Sequence, residues 1–294
     1  MLNKKILNNL PDVNVNLSAE YSEILLLQNL KCYGFATLEN HDLPLSLLDG
    51  IYEQWRCFFS NEEKYQWLRA DEDDEGFVPL GVEKAKNEDV PDFKEFYQTH
   101  YQGRYPSIID TQSTFCLVSA LVTLSEKLIK LLEIALPTTV KEKMCISLSE
   151  MVLNSSKHLL RVVHYPPMLK GMTLPKSAPH GDICLLTILV NATRDGLALK
   201  SHDGNWYVPE IEKTEVIVFN SDMLDMCTKG YLKSVTHEVQ TNSNNAFKNR
   251  YSIAFSVHPK RDTELKTGFT AGEFLQERLN DMGFNGHMLK INDH

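Results

Sequence analysis

From about residue 158 to Pro259 the chain breaks into short β-rich runs, "LLRVVHYPP", "CLLTILV", "LALKS", "GNWYVPE", "EVIVFN", "SVTHEV" and "RYSIAFSVHP". Gly, Asn, Asp and Pro separate them. Many short β-rich segments parted by turn formers point to an all-β sandwich or barrel. The rest of the chain must therefore be arranged around a β core.

The first 150 residues read as mostly helical. "LPLSLLDGIYEQWRCFF" puts Leu47, Leu48, Ile51, Trp55, Phe58 and Phe59 on one helical face, with Asp42 and Pro44 as start signals. "TFCLVSALVTLSEKLIKLLEIALP" repeats the pattern through Leu117, Leu121, Leu124, Leu128 and Leu131 and stops at Pro137. Between them the acidic run Asp71 to Glu75 reads as a solvated loop. After Pro259, "TAGEFLQERLNDMGF" reads as a closing amphipathic helix. No fixed-period repeat or separating linker is visible. The expected organisation is one compact unit, 1–294, with a helical N-terminal region 1–150, a β core 158–260 and a C-terminal helical segment 261–294.

Composition narrows the function. With 43% hydrophobic and 23% charged residues the chain has the make-up of an ordinary globular protein. A net charge of −9 argues against a broad nucleic-acid footprint. No apolar run is long enough to cross a bilayer, and the N-terminus does not read as a signal peptide. Cysteines 32, 57, 116, 145, 184 and 227 form no CxxC pair and read as reduced, mostly buried thiols. A cytoplasmic location follows as an expectation.

Within the β region, "SAPHGDICLLTILV" sets His180 and Asp182 just ahead of an apolar run. On an extended strand, positions i and i+2 share a face about 7 Å apart. Alone, such a pair is an ordinary hydrogen-bonded couple. His237 in "KSVTHEV", within another expected strand, completes two histidines and one carboxylate, a set that matches the facial triad of non-haem Fe(II) oxygenases. In "NRYSIAF", Arg250 and Ser252 share a strand face. A guanidinium pointing into a β core needs an anion, and a guanidinium fork with a hydroxyl suits a small carboxylate.

The order His-x-Asp, His, Arg-x-Ser resembles the iron- and 2-oxoglutarate-dependent dioxygenases, in the branch similar to isopenicillin N synthase. "HYPP" at 164–167 is similar to that family's Tyr-Pro-Pro strand, "GLALKSHDGNWYVPE" to its hairpin, and "VIVFNSDMLDMCTKGYLKSVTHEV" to the stretch before its distal His. "YGFATLENHDLPLSLLDGIYEQWRCFF" and "GFVPLGVEKAKNEDVPDFKEFY" look like its N-terminal region. The resemblance covers nearly the whole chain.

It implies a double-stranded β-helix, a jelly-roll or cupin-like barrel wrapped by N-terminal helices and a C-terminal helix. It also implies Fe(II) on His180, Asp182 and His237, with 2-oxoglutarate held by Arg250, Ser252 and Tyr165. O2 and a small-molecule substrate complete the reaction, with ascorbate as a candidate stimulant. The implied chemistry is oxidation of a C–H bond, hydroxylation by default, with release of succinate and CO2. No nucleic acid or membrane partner is expected, and a monomer is the expected state.

Two departures bear on substrate choice. Gly181 stands where many relatives carry a polar or bulkier residue, and Ser221 where a Gly usually precedes the Asp. Asp182 fills the position that related halogenases leave to halide. Three alternatives stay open at this point: a zinc hydrolase using the same ligands, a 2-oxoglutarate-independent oxidase of the same branch, and a non-catalytic binding protein. Expected substrate-selecting elements are residues 76–101, with Phe77, Phe93, Phe96, Tyr97 and Tyr101, and the C-terminal helix.

Overall fold

The computed structural model describes residues 7–8, 12–69, 74–85, 90–172, 174–209, 212, 214–241 and 246–281. In chain order the strands are β1 (Leu7–Asn8), β2 (Asn14–Asn16), β3 (Phe35–Glu39), β4 (Gly76–Val78), β5 (Glu95–His100), β6 (Leu159–Tyr165), β7 (Ser177–His180) and β8 (Leu186–Val190). They continue with β9 (Leu197–Lys200), β10 (Trp206–Tyr207), β11 (Val216–Asn220), β12 (Thr236–Val239), β13 (Arg250–Val257), β14 (Glu264–Lys266) and β15 (Phe269–Thr270). The helices are α1 (Ser22–Cys32), α2 (Leu48–Ser60), α3 (Thr111–Ala135), α4 (Thr138–Lys141), α5 (Leu148–Val152), α6 (Asp222–Cys227) and α7 (Ala271–Asp281).

Two sheets carry the molecule. The larger runs β2-β3-β11-β8-β13-β6-β5-β4 and the smaller β1-β10-β9-β12-β7. Side chains on the larger sheet follow the period of two that a pleated strand imposes. On β13, Tyr251, Ile253, Phe255 and Val257 join the main apolar cluster with α1, α2, α3 and α5. Arg250, Ser252 and Ala254 alternate with them and line the space facing the smaller sheet. On β11, Val216 and Val218 face the helices while Ile217 and Phe219 pack with Leu197, Leu199 and Tyr207 of the smaller sheet. The result is a helix-covered double-stranded β-helix whose two sheets face each other across an interior space, as two sheets rather than one closed ring.

The helices form where the apolar spacing asks for them. Leu48, Ile51, Trp55, Phe58 and Phe59 of α2 are buried, and Trp55, Phe58 and Tyr97 pack with ring centroids 5.2–5.4 Å apart, Phe58 edge-on to the other two. The Asp110 carboxylate caps α3 by accepting from the backbone N–H of Gln112 and Ser113. That helix ends at Ala135, ahead of Pro137.

Several expectations change. The first 150 residues supply strands as well as helices, because β2, β3, β4 and β5 extend the larger sheet. These strands are short and lie beside strong helical periodicity, which hides their own period of two. Of the acidic run, residues 71–73 lie outside the described residues. Glu75 is buried, not solvated, because its carboxylate accepts from the backbone N–H of His100 and Arg104 and from the Thr99 hydroxyl. Cys32, Cys57 and Cys116 are exposed and only Cys184 and Cys227 are buried, so the thiols are free but not mostly buried. The closing helix spans Ala271–Asp281, and Met282 to Phe284 lie outside the described residues. Among the described residues, no helix is long and apolar enough to cross a membrane.

Candidate metal centre

β7 and β12 pair antiparallel and set His180 directly opposite His237. Their rings lie 4.2 Å apart between centroids, and Phe219 backs the His237 ring at 4.7 Å. Asp182 is not on the strand, since β7 ends at His180 and Asp182 sits in the bend that follows. Its backbone carbonyl accepts from the N–H of Asp222, and Thr187 Oγ1 donates to its Oδ2. The bend carries the carboxylate to the histidines all the same. Asp182 Oδ1 lies 3.9 Å from Nε2 of His180 and 3.9 Å from Nε2 of His237.

The donor set suits a divalent cation. Among the described residues, these three form the group of His, Cys, Asp or Glu side chains able to hold a metal, with ligand atoms all within 4.8 Å of one another. His180 Nδ1 lies 2.8 Å from the Ala178 carbonyl. A carbonyl only accepts, so Nδ1 carries the proton and Nε2 keeps a free lone pair. Burial, reinforced by the Lys94 charge, lowers the His180 pKa, and burial with the neighbouring His180 lowers that of His237. Burial by itself would raise the Asp182 carboxyl, but His237, His180 and the Thr187 hydroxyl outweigh it and hold it below its ordinary value. Two neutral imidazoles and one carboxylate are the protonation states that ligation requires.

Arg250, Ser252 and Tyr165 face these residues from the larger sheet. β13 and β6 pair Arg250 with Tyr165, and the guanidinium lies over the phenol ring at 4.9 Å. Arg250 is buried, donating from Nε to the Arg194 carbonyl at 3.0 Å and from Nη1 to Ser252 Oγ at 3.3 Å. All six expected site residues thus line one interior cavity of about 60 Å³.

A second, larger cavity of about 260 Å³ opens on the other side of His180 and Asp182. Ala85, Ile183 and Met223, with Leu275 and Leu279 of α7, give it an apolar wall, while Gln98, Arg161 and Lys94 supply polar groups. Residues of the segment before β5 and of the C-terminal helix line it. The aromatic residues do not line it, because Phe77, Phe96 and Tyr97 are turned into the packing beneath.

Several residues here were not singled out from the sequence. Lys94 is buried and donates to Glu83 at 2.9 Å, Asp92 at 2.8 Å and Ser177 at 3.2 Å. Arg161 reaches Glu83 at 3.3 Å, donates from Nε and Nη2 to the Gln98 side-chain oxygen Oε1 and lies over Phe96. Lys94 and Arg161 outweigh burial and hold the Glu83 carboxyl down at about 2. The visible signal was "PDFKEFY", where charges sit among aromatics that must be buried.

Two family models match the chain: the 2OG-Fe(II) oxygenase superfamily over residues 156–259, and the N-terminal region of a non-haem dioxygenase in morphine synthesis over residues 24–113. A crystal structure of a candidate oxygenase from Shewanella oneidensis superposes with a TM-score of 0.81 at 31% identity, covering 94% of this chain and 99% of that one. Jasmonate-induced oxygenase 3 of Arabidopsis thaliana is 28% identical over 255 residues, which is 79% of this chain and 65% of the relative's length. Thebaine 6-O-demethylase of Papaver somniferum is 25% identical over 272 residues, covering 84% of this chain and 73% of that protein. A full-length Neurospora crassa protein, solved in complex with alpha-KG, shares the fold with a TM-score of 0.75 at 18% identity, covering 95% of this chain and 97% of that one.

Proposed function

Because the chain belongs to the 2-oxoglutarate- and Fe(II)-dependent oxygenase superfamily, we propose that it oxidises a C–H bond of a small molecule with consumption of 2-oxoglutarate and O2. The observation that carries this reading is the meeting of two cavities at His180 and Asp182, one of them lined by Arg250, Ser252 and Tyr165.

In this reading His180, Asp182 and His237 hold Fe(II). When bound, the iron supplies O2 activation coupled to decarboxylation of the co-substrate. The chain's own residues do the rest. Arg250 and Ser252 bind the far carboxylate of 2-oxoglutarate in the smaller cavity, and Tyr165 helps fix it. The Ala178 carbonyl keeps the His180 proton on Nδ1, away from the metal side. The larger cavity receives the primary substrate, and α7 with the segment before β5 keeps water from it. Hydroxylation is the default outcome. Thebaine 6-O-demethylase and a Neurospora crassa neighbour solved with thymine agree with a substrate of small-molecule size.

The chain is proposed to act as one unit over 1–294, with 158–260 as the catalytic core, and as a monomer without nucleic-acid or membrane partners. Its three exposed free thiols suit the reducing cytoplasm.

The test is anaerobic loading of the full chain with Fe(II) and 2-oxoglutarate, followed by exposure to O2 and measurement of succinate across a small-molecule panel. Succinate that requires both Fe(II) and 2-oxoglutarate supports the reading, and His237→Ala should abolish it together with iron retention. Substrate oxidation without succinate would favour the oxidase that dispenses with 2-oxoglutarate. Metal-dependent hydrolysis without O2 uptake would favour the zinc enzyme.

A further inference from the structure

The two oxygens of the Asp182 carboxylate have different neighbours. Oδ1 faces the two imidazoles at 3.9 Å. Oδ2 accepts the hydroxyl proton of Thr187 on β8.

Thr187 is buried to 1% exposure on β8. Leu186 and Ile188 on either side of it face the helix layer, so strand alternation alone aims its hydroxyl at the inter-sheet cavity. A hydroxyl has one proton and can accept others. Since the carboxylate takes that proton, the remaining contacts on Thr187 Oγ1 must be donated to it. Ser221 Oγ lies 3.4 Å away and Cys184 Sγ 3.3 Å away. The Cys184 thiol proton already has the Leu186 carbonyl as its acceptor at 3.2 Å. That leaves the fully buried Ser221 hydroxyl to support Thr187. The chain Ser221, Thr187, Asp182 thus runs from a position where the family resemblance leads one to expect Gly to a proposed ligand.

We propose that Thr187 is a positioning residue that makes Asp182 present a single oxygen to the metal, with Ser221 fixing the Thr187 hydroxyl. The assignment rests on the metal-centre reading above and deepens it. A carboxylate free to rotate can turn both oxygens on one cation and take a coordination position that the co-substrate and O2 need. Here that rotation would break a buried hydrogen bond to a charged acceptor, a loss that nothing nearby replaces. Partners of this kind typically change metal affinity by roughly ten- to a hundredfold when removed.

The experiment is an anaerobic titration of the metal-free full chain with Co(II), whose visible spectrum reports coordination number, followed by Fe(II). Thr187→Val keeps the branched shape and loses the hydroxyl, while Thr187→Ser keeps the hydroxyl. Ser221→Gly deletes only the support and adds no bulk, so the comparison does not depend on one variant folding. Thr187→Val should bind Co(II) roughly ten- to a hundredfold more weakly, with a changed spectrum. Thr187→Ser should match the parent, and Ser221→Gly should shift in the same direction by less. Parent-like affinity and spectrum in Thr187→Val overturn the role of Thr187, and the same result in Ser221→Gly overturns that of Ser221. A parent chain that takes up neither metal overturns the metal-centre reading itself, and this assignment with it.

Discussion

The Asp222 carboxylate crowds the space that a β-carbon on Gly181 would need: such an atom would lie 3.0 Å from Asp222 Oδ1 and 3.1 Å from Ser234 Oγ. The same Asp222 donates its backbone N–H to the Asp182 carbonyl at 2.9 Å, and its Oδ2 accepts from Arg278 of α7 at 2.7 Å. The glycine between two proposed ligands therefore makes room for the carboxylate that ties the C-terminal helix to the metal-binding bend. Only Ala271 and Phe274 of α7 are buried, so this ion pair matters to how the helix sits over the larger cavity.

Gly181→Ala is accordingly expected to cost about 1–2 kcal/mol through overpacking and to loosen α7. A lower Tm and faster hydrogen exchange over residues 271–281 would report both effects. Adding Asp222→Ala removes the obstacle, so the double variant should lose less than the sum of the two singles. Strictly additive losses would show that the carboxylate is not what the alanine meets.

The legible and illegible parts of this fold differ for a physical reason. His180, Asp182, His237, Arg250 and Ser252 could be read because each pair sits at i, i+2 or in a β-run, where spacing gives facing. His180 and His237 do meet across paired strands, and Arg250 and Ser252 do share a face. Asp182 departs from the i, i+2 strand spacing, since β7 ends at His180 and the segment after it delivers the carboxylate. Thr187, Lys94 and Asp222 were hidden because their partners lie on other segments: Thr187 reaches back to Asp182, Lys94 just before β5 reaches Ser177 of β7, and Asp222 joins α6 to α7. The β strands of the first hundred residues were obscured in the same way, since β3 takes its place by pairing with β11 far along the chain.

Lys94 offers the sharpest test of that hidden network. Its buried ammonium neutralises Glu83 and Asp92 at 2.9 and 2.8 Å. Removing Lys94 leaves Asp92 without its ammonium and Glu83 with Arg161 alone, and breaking a buried charge group costs about 3–5 kcal/mol. Lys94→Met should lower the unfolding free energy by that order in urea denaturation. A loss below about 1 kcal/mol, the range of exposed ion pairs, would mean that water reaches the cluster and screens it.

Arg250→Met is expected to raise the 2-oxoglutarate requirement by roughly ten- to a hundredfold, because a charge-assisted hydrogen bond contributes about 1.5–3 kcal/mol and each ~1.4 kcal/mol is tenfold. Iron uptake should survive, since Arg250 lies on the sheet opposite His180 and His237. Arg250→Lys should rescue in part only, as an ammonium cannot reproduce the two-pronged guanidinium that now serves the Arg194 carbonyl and Ser252. The measurement is KM for 2-oxoglutarate from succinate release. An unchanged KM would move the carboxylate contact elsewhere.

The acid side of the stability profile should be set in part by His158. Its ring is buried, 5.8 Å from that of Phe255, and its Nδ1 accepts the backbone N–H of His258 at 3.2 Å. Protonating Nδ1 would remove that acceptor as well as bury a charge. Burial, helped by His100, lowers its pKa from 6.5 to about 4. Above pH 6.5 both folded and unfolded chains carry a neutral imidazole, and the stability is complete. As the pH falls from 6.5 toward 4, the unfolded chain takes up a proton that the folded chain refuses, so stability declines. Below 4 the folded ring protonates too and the decline from this residue ends. The total is at most about 3 kcal/mol at ~1.36 kcal/mol per pH unit. His158→Asn keeps an acceptor near the His258 N–H and cannot titrate. It should therefore flatten the fall in unfolding free energy between pH 6.5 and 4, even though the smaller side chain costs some packing at neutral pH. His258, whose pKa burial lowers to about 3, should leave a residual slope in the variant. Urea unfolding at several pH values across this window gives both curves, and parent and variant falling in parallel would remove His158 as a source.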